Sequence, residues 1–179
     1  MWGSFSRIAA GAVLLAASSQ VSAFDKLSFE VGSGNHTTLT RLGAQWNWGS
    51  SWFKGESWHL GGYWQGSIAN WRGSRFGPSG QGKEDIFDIG LTPVLRLQRN
   101  DLRGWYGELG IGIHWLSDHY HNNGKELSTH FQFGDHVGVG YVFQGGAELG
   151  LSYQHFSNGG FRKPNDGVNF TVVKVTYPF

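Results

Sequence analysis

The chain is 179 residues long, lacks cysteine, and is 16% aromatic, with 29 glycines and four prolines. The missing cysteines exclude a disulfide framework, and a formal charge of +1 argues against a nucleic-acid partner. After residue 23 no apolar run approaches the ~20 residues of a membrane-spanning helix.

Residues 1–23, MWGSFSRIAAGAVLLAASSQVSA, combine one positive charge (Arg7), an apolar stretch from Ile8 to Ala17, and small residues at Ser22 and Ala23. This is the layout of a secretory leader, and it leaves one domain over residues 24–179. Without Arg7, 13 basic residues face 13 acidic ones. From there on the period is two, not 3.6. The first alternate apolar rows are Leu27-Phe29-Val31, Leu42-Ala44-Trp46-Trp48 and Leu60-Gly62-Trp64. Two longer rows follow, from Phe87 to Leu97 and from Trp105 to Trp115. The last three are Phe131 to Phe143 with an interruption, Ala147 to Tyr153, and Val173-Val175-Tyr177-Phe179. Eight strands are predicted.

The opposite rows hold Glu30, Arg41, Gln45, Asp88, Arg96, Glu108, Glu148, Gln154 and Lys174. A soluble sandwich turns its apolar rows inward. Here they are continuous and aromatic-ended, while charges of both signs share the other face. Apolar-out and polar-in is the pattern of a transmembrane β-barrel, whose closure satisfies every backbone group. The predicted fold is therefore all-β, an eight-stranded antiparallel barrel of the outer membrane with a filled polar interior and no pore. A secreted lipocalin-like binder would place its apolar rows around a cavity instead. Long polar connections at 70–83, 117–127 and 158–168 are expected outside, and short turns at 98–104 and 144–146 in the periplasm. Trp46, Trp48, Trp52, Trp58, Trp105, Phe143, Tyr177 and Phe179 then form a periplasmic aromatic girdle.

Toward its outer end the seventh strand places His155 and Ser157 on the row that should face lipid. Residues two apart project from one face roughly 6.6 Å apart, and a hydroxyl beside an imidazole is the minimal activated nucleophile. Asn158, Gly160 and Asn165 follow in the adjoining loop and are candidate oxyanion donors. The short turn at 144–146 pairs residues whose numbers sum to 290, which sets Asp135 opposite His155. Asn169, on the other neighbouring strand, shares the lipid-facing parity. A carboxylate on that face is costly without a partner.

Three stretches, RLGAQWNW, GDHVGVG and HFSNGGFRKPNDGVN, make the chain similar to the lipid A 3-O-deacylase family (PagL) over nearly its whole mature length. The resemblance implies an outer-membrane barrel that hydrolyses the ester-linked 3-hydroxyacyl chain at position 3 of lipid A. It implies a serine esterase site on the wall, with Ser157 as nucleophile, His155 as base and Asn165 in the oxyanion hole, and it makes Asp135 a characteristic acidic position. It also implies a glutamate as the triad acid where this chain has Asn169. An amide oxygen can still orient an imidazole, as in Cys-His-Asn hydrolases, but brings no charge; either Asn169 or Asp135 would fill the acid's place.

Eight strands alone also suit a structural or adhesive barrel with an inert wall cluster. The chemistry calls for no cofactor and no metal, although His114, His119 and His121 are a candidate zinc or copper cluster, outweighed by a chance grouping. Arg72, Arg75, Lys83, Lys125, Arg162 and Lys163 in the outer loops are available to lipid A phosphates. The expected partner is the membrane with its lipid A; both monomer and homodimer are open.

Overall fold

The computed structural model describes residues 23–77 and 80–179. The expected leader lies outside these residues but for Ala23, and the Arg75 side chain is likewise outside the description. Among the described residues ten strands are formed: β1 (Lys26–Gly34), β2 (Thr37–Asn47), β3 (Trp58–Gly77), β4 (Gly80–Arg99), β5 (Gly104–Leu116), β6 (Tyr120–Asn122), β7 (Lys125–Leu127), β8 (Phe131–Val142), β9 (Glu148–Ser157) and β10 (Val168–Pro178). Eight of them close a barrel in the order β1-β10-β9-β8-β5-β4-β3-β2, every pair antiparallel, and β6 and β7 form a separate hairpin outside it. The seam is the β1–β10 pair, from Lys26 opposite Pro178 to Ser33 opposite Thr171.

The alternation read from the sequence appears as two surfaces. Phe29, Leu42, Ile89, Leu109, Ile111, Val137, Leu151 and Val175 are all about half exposed or more on the outer wall. Such an apolar belt is tolerable only in lipid. All nine polar residues of the opposite rows are buried inside. Arg96 donates to Glu108 and Glu148, each at 2.9 Å, while its guanidinium lies 3.9 Å over the Tyr106 ring. Lys174 pairs with the same Glu108, and Lys26 with Glu148. Arg41 bonds Glu30 at 3.0 Å and Gln154 at 2.9 Å. Buried charges survive only when paired and hydrogen-bonded; here Arg41–Glu30 and Arg96–Glu108 pair between neighbouring strands, and Arg96–Glu148 and Lys174–Glu108 pair across the lumen.

Toward the outer end the lumen becomes apolar. Trp71, Phe156, Phe170, Leu39, Tyr120 and Leu127 are almost wholly buried in one cluster. Trp71 is at its centre, 4.6 Å from the Phe156 ring, 4.9 Å from Phe170 and 5.9 Å from Tyr120, all edge to face. The interior is thus filled in two layers, ionic in the middle and apolar at the top.

Two expected loops are also more ordered than their composition suggested. Residues 70–83 continue the β3–β4 hairpin, with Asn70 opposite Phe87 and the ladder running to Gly77 opposite Gly80. Each of these strands has 20 residues, roughly twice the ~9–11 a tilted span needs, so the hairpin projects beyond the membrane. Within 117–127, β6 and β7 pair through a turn at Asn123 and Gly124, both of positive φ. Tyr120 and Leu127 turn back into the apolar cluster, which is why this polar-looking segment folds down onto the barrel mouth.

Candidate active site on the outer wall

The orientation of His155 and Asn169 is set by what flanks them. Gln154 and Phe156 on β9, and Val168 and Phe170 on β10, are buried in the lumen. With a side-chain period of two, His155 and Asn169 must then point outward, and a slip of one residue would bury both while expelling two phenylalanines. They stand directly opposite each other across the β9–β10 ladder. Asp135 stands opposite His155 across the β8–β9 ladder, in the register that the short turn implied. One row across three strands thus carries Asp135, His155 and Asn169. Ser157 is two residues further toward the outer end, opposite Phe133.

Asp135, His155, Ser157 and Asn169 are all half-buried. The His155 ring donates from Nδ1 to Asn169 Oδ1 at 2.6 Å. This fixes the ring and leaves Nε2 as the nitrogen with a free lone pair. Among the described residues no hydrogen bond joins His155 to Asp135 or to Ser157. Asp135, His155 and Asn169 do share an open groove of about 470 Å³ in the wall, floored by Leu109, Ile111, Val137 and Tyr153. The polar row is at one end of it and apolar side chains fill the rest.

The loop from 158 to 167 is held by its own amides. Asn158 is fully buried; its Oδ1 accepts from the Gly160 N–H at 2.9 Å and its Nδ2 donates to Arg162 O at 2.8 Å. The Asn158 backbone N–H donates to Asn165 Oδ1 at 3.0 Å. The Asn158 side chain and the Gly160 N–H are therefore engaged in shaping the turn. The Asn165 Nδ2 group and the Gly159 N–H have no protein partner among the described residues.

Gly167 was not singled out by sequence. Its φ is +68°, and a Cβ there would lie 2.5 Å from His155 Cε1. The backbone at Gly167 is thus packed against the imidazole. The run Asn165-Asp166-Gly167 reads as a turn, but nothing in it points to a histidine twelve residues earlier.

The three histidines considered as a metal cluster are engaged separately. His114 is buried against Asp88 at 2.9 Å, His119 packs on His130 at 4.6 Å, and His121 pairs with Glu126 at 2.8 Å. Among the described residues no group of three or more such side chains could hold an ion together.

A closed barrel with an apolar outer belt and an oriented imidazole in a polar row on its wall defines a class: an integral membrane β-barrel that presents polar side chains to the bilayer. The family described as Lipid A 3-O-deacylase (PagL) matches residues 38–178. Lipid A deacylase PagL of Pseudomonas aeruginosa is 32% identical over 144 residues, covering 79% of each chain. The protein of that name from Bordetella bronchiseptica is 33% identical over 94 residues, which span 52% of this chain and about half (51%) of that one. Among solved structures, the outer membrane enzyme PagL superposes with a TM-score of 0.73 at 25% identity, covering 86% of this chain and 99% of that one. Neisserial surface protein A shares the fold alone, with a TM-score of 0.54 at 13% identity over 86% of this chain and 94% of that one. The chain belongs to the lipid A 3-O-deacylase family and is an integral β-barrel of the outer membrane.

Proposed function

We propose that the chain carries out its family's reaction, hydrolysing the ester at position 3 of lipid A, with Ser157 as nucleophile and His155 as general base on the lipid-facing wall. The observation that carries this reading is the Nδ1 contact of His155 with Asn169 at 2.6 Å. An imidazole held by Nδ1 presents Nε2 as base, and of the two hydroxyls that flank His155 on its row, the phenol of Tyr153 and the alcohol of Ser157, it is Ser157 that leads into the loop carrying Asn165.

In the forward step Ser157 Oγ attacks the ester carbonyl and passes its proton to His155 Nε2. The carbonyl oxygen becomes an oxyanion, for which Asn165 Nδ2 and the Gly159 N–H are the loop donors left unspent; Asn158 and Gly160 frame that turn. The bond from the carbonyl carbon to the sugar oxygen then breaks, and His155 returns the proton to that oxygen. Water next attacks the acyl-serine with His155 again as base, releasing a free 3-hydroxy fatty acid and restoring Ser157. Asn169 takes the orienting part of a triad acid without its charge. Asp135, across the other ladder, contributes a negative field to the same groove.

The location on the wall follows from the substrate. Lipid A resides in the outer leaflet, so a site facing lipid meets the ester without lifting the molecule out, and the apolar floor of the groove suits the acyl chain. A serine-directed lipid phosphonate tests the assignment. Intact-mass analysis should find one adduct on Ser157, lost in Ser157→Ala and much slowed in His155→Ala. Labelling that persists in Ser157→Ala would refute the nucleophile.

A further inference from the structure

The loop that carries Asn165 and Gly167 is not held by the barrel alone. Its return leg lies along β7, which belongs to the detached outer hairpin. Leu127 and Asn165 form an antiparallel bridge. Around it, the Ser128 N–H donates to Pro164 O at 3.2 Å and the Asp166 N–H to Glu126 O at 3.0 Å. The Asp166 carboxylate accepts from the Glu126 N–H at 2.8 Å. Lys125 closes the end, its Nζ 3.0 Å from Gly167 O and 3.4 Å from Asp166 O.

The hairpin is itself anchored from below. Leu127 is wholly buried in the apolar cluster, and Tyr120 is edge-on to Trp71. The buried Asn122 donates to Thr37 Oγ1 at 2.9 Å, and Tyr120 shares a 2.8 Å hydrogen bond with the same hydroxyl. A rigid chain of contacts therefore runs from the barrel top through β7 to the two loop positions that flank the chemistry: Asn165, with a spare amide donor, and Gly167, whose backbone bears on the His155 ring.

We propose that the β6–β7 hairpin is the positioning element of the esterase loop, and that Lys125 and Asp166 are positioning residues that act through Asn165 and Gly167. Neither touches the imidazole or the serine. The Asp166 carboxylate and the Lys125 ammonium hold the return leg at the height where Asn165 Nδ2 reaches the oxyanion and Gly167 limits how far the ring can swing. The ammonium also draws on the Gly167 carbonyl, so that the peptide beside His155 is fixed at both ends. This inference rests on the reading of Ser157 and His155 as the esterase pair.

Because a misplacement of about 1 Å can cost ~10²-fold in rate, partial loosening of the loop should lower kcat by about tenfold. The test uses the full-length barrel in detergent micelles, with lipid A as substrate and turnover expressed per folded barrel from the heat-modifiable gel band. Asp166→Ala and Lys125→Met should each show that drop in kcat with KM within about twofold. Asp166→Asn keeps an oxygen that accepts from the Glu126 N–H, so it should recover most of the lost turnover. Gly167→Ala, which forces a Cβ toward His155 Cε1 at a left-handed position, should lose about 10²-fold. Wild-type kcat per folded barrel in Asp166→Ala and Lys125→Met overturns the proposal, even where the yield of folded barrel falls, because the hairpin would then be a stability element only. An Asp166→Asn barrel as slow as Asp166→Ala overturns it too, since charge rather than the held loop would be responsible. Ser157→Ala is run in parallel: full activity there removes the esterase reading and this inference with it, whereas an inactive Ser157→Ala beside unaffected hairpin variants removes this inference alone.

Discussion

Polar residues occupy both sides of this barrel wall, and the two sets differ in how well they are satisfied. Inside, Arg96 has two carboxylates and an aromatic ring, Glu108 has two cations and the Tyr63 hydroxyl, and Arg41 has Glu30 and Gln154. Outside, Asp135, His155, Ser157 and Asn169 share one hydrogen bond among four side chains. A chain that can build a matched network in its lumen leaves the wall set under-matched at a lipid boundary, where unpaired polar groups are expensive. The difference is one of charge pairing: the lumen ions are matched with one another, although Arg41 Nε and Nη2 and the Tyr106 hydroxyl find no protein partner, whereas the wall row has a single hydrogen bond and no ion pair among the described residues.

Removal of the wall pair should have the largest effect. Ser157→Ala and His155→Ala should each lower turnover by at least ~10³-fold, and the double variant should be little worse than either, because the two act as one unit. The unfolding temperature should be unchanged, since neither residue fills a core cavity. A lumen substitution should do the reverse. Glu108→Ala leaves Arg96 and Lys174 without a shared carboxylate, and breaking a buried pair from one side costs ~3–5 kcal/mol. Denaturant unfolding should report that loss while turnover per folded barrel stays as in the wild type.

Smaller effects sharpen the division of labour around the imidazole. Asn169→Ala frees Nδ1 and should cost about 10² in kcat, less than the loss of a charged triad partner, which can reach ~10⁴. Asn169→Glu should raise kcat, because a carboxylate at the same place both orients the ring and stabilises the imidazolium formed during attack. Asp135→Asn should lower kcat by less than about tenfold, since Asp135 acts on His155 only through its field across the groove. If Asp135→Asn proves the worse of the two, the charge across the β8–β9 ladder outranks the hydrogen bond from Asn169.

Much of this arrangement was readable in advance because it is periodic. Alternation alone separated the buried Glu30, Arg96 and Lys174 from the exposed Phe29, Leu97 and Val175. A three-residue turn was enough to set Asp135 opposite His155, since register in a hairpin is fixed by its shortest connection. What period and turn length could not give is contact between elements distant along the chain. Trp71, Tyr120 and Leu127 lie in segments that read as polar loops, so the apolar upper layer of the lumen was not foreseen. The same holds for Lys125 and Asp166, which meet only because β7 folds down beside the return leg of the 158–167 loop. The candidate oxyanion donors were legible as a group but not in their roles, because which amide holds the turn depends on the path of the loop. That path put Asn158 in the interior and left Asn165 with an unspent Nδ2.

If the under-matched polar row on the wall opens an ester of outer-leaflet lipid A, the lipid A of a membrane holding this barrel must change. Mass spectrometry of lipid A from outer membranes containing either the wild-type chain or Ser157→Ala tests it most directly. With the wild type, lipid A should lose the mass of one 3-hydroxyacyl group, replaced by hydrogen at position 3, and the matching 3-hydroxy fatty acid should be released. With an equal amount of folded Ser157→Ala, lipid A should keep its full mass. The same loss of acyl mass in both membranes, or in neither, would contradict the assignment of Ser157 as the nucleophile of a lipid A esterase.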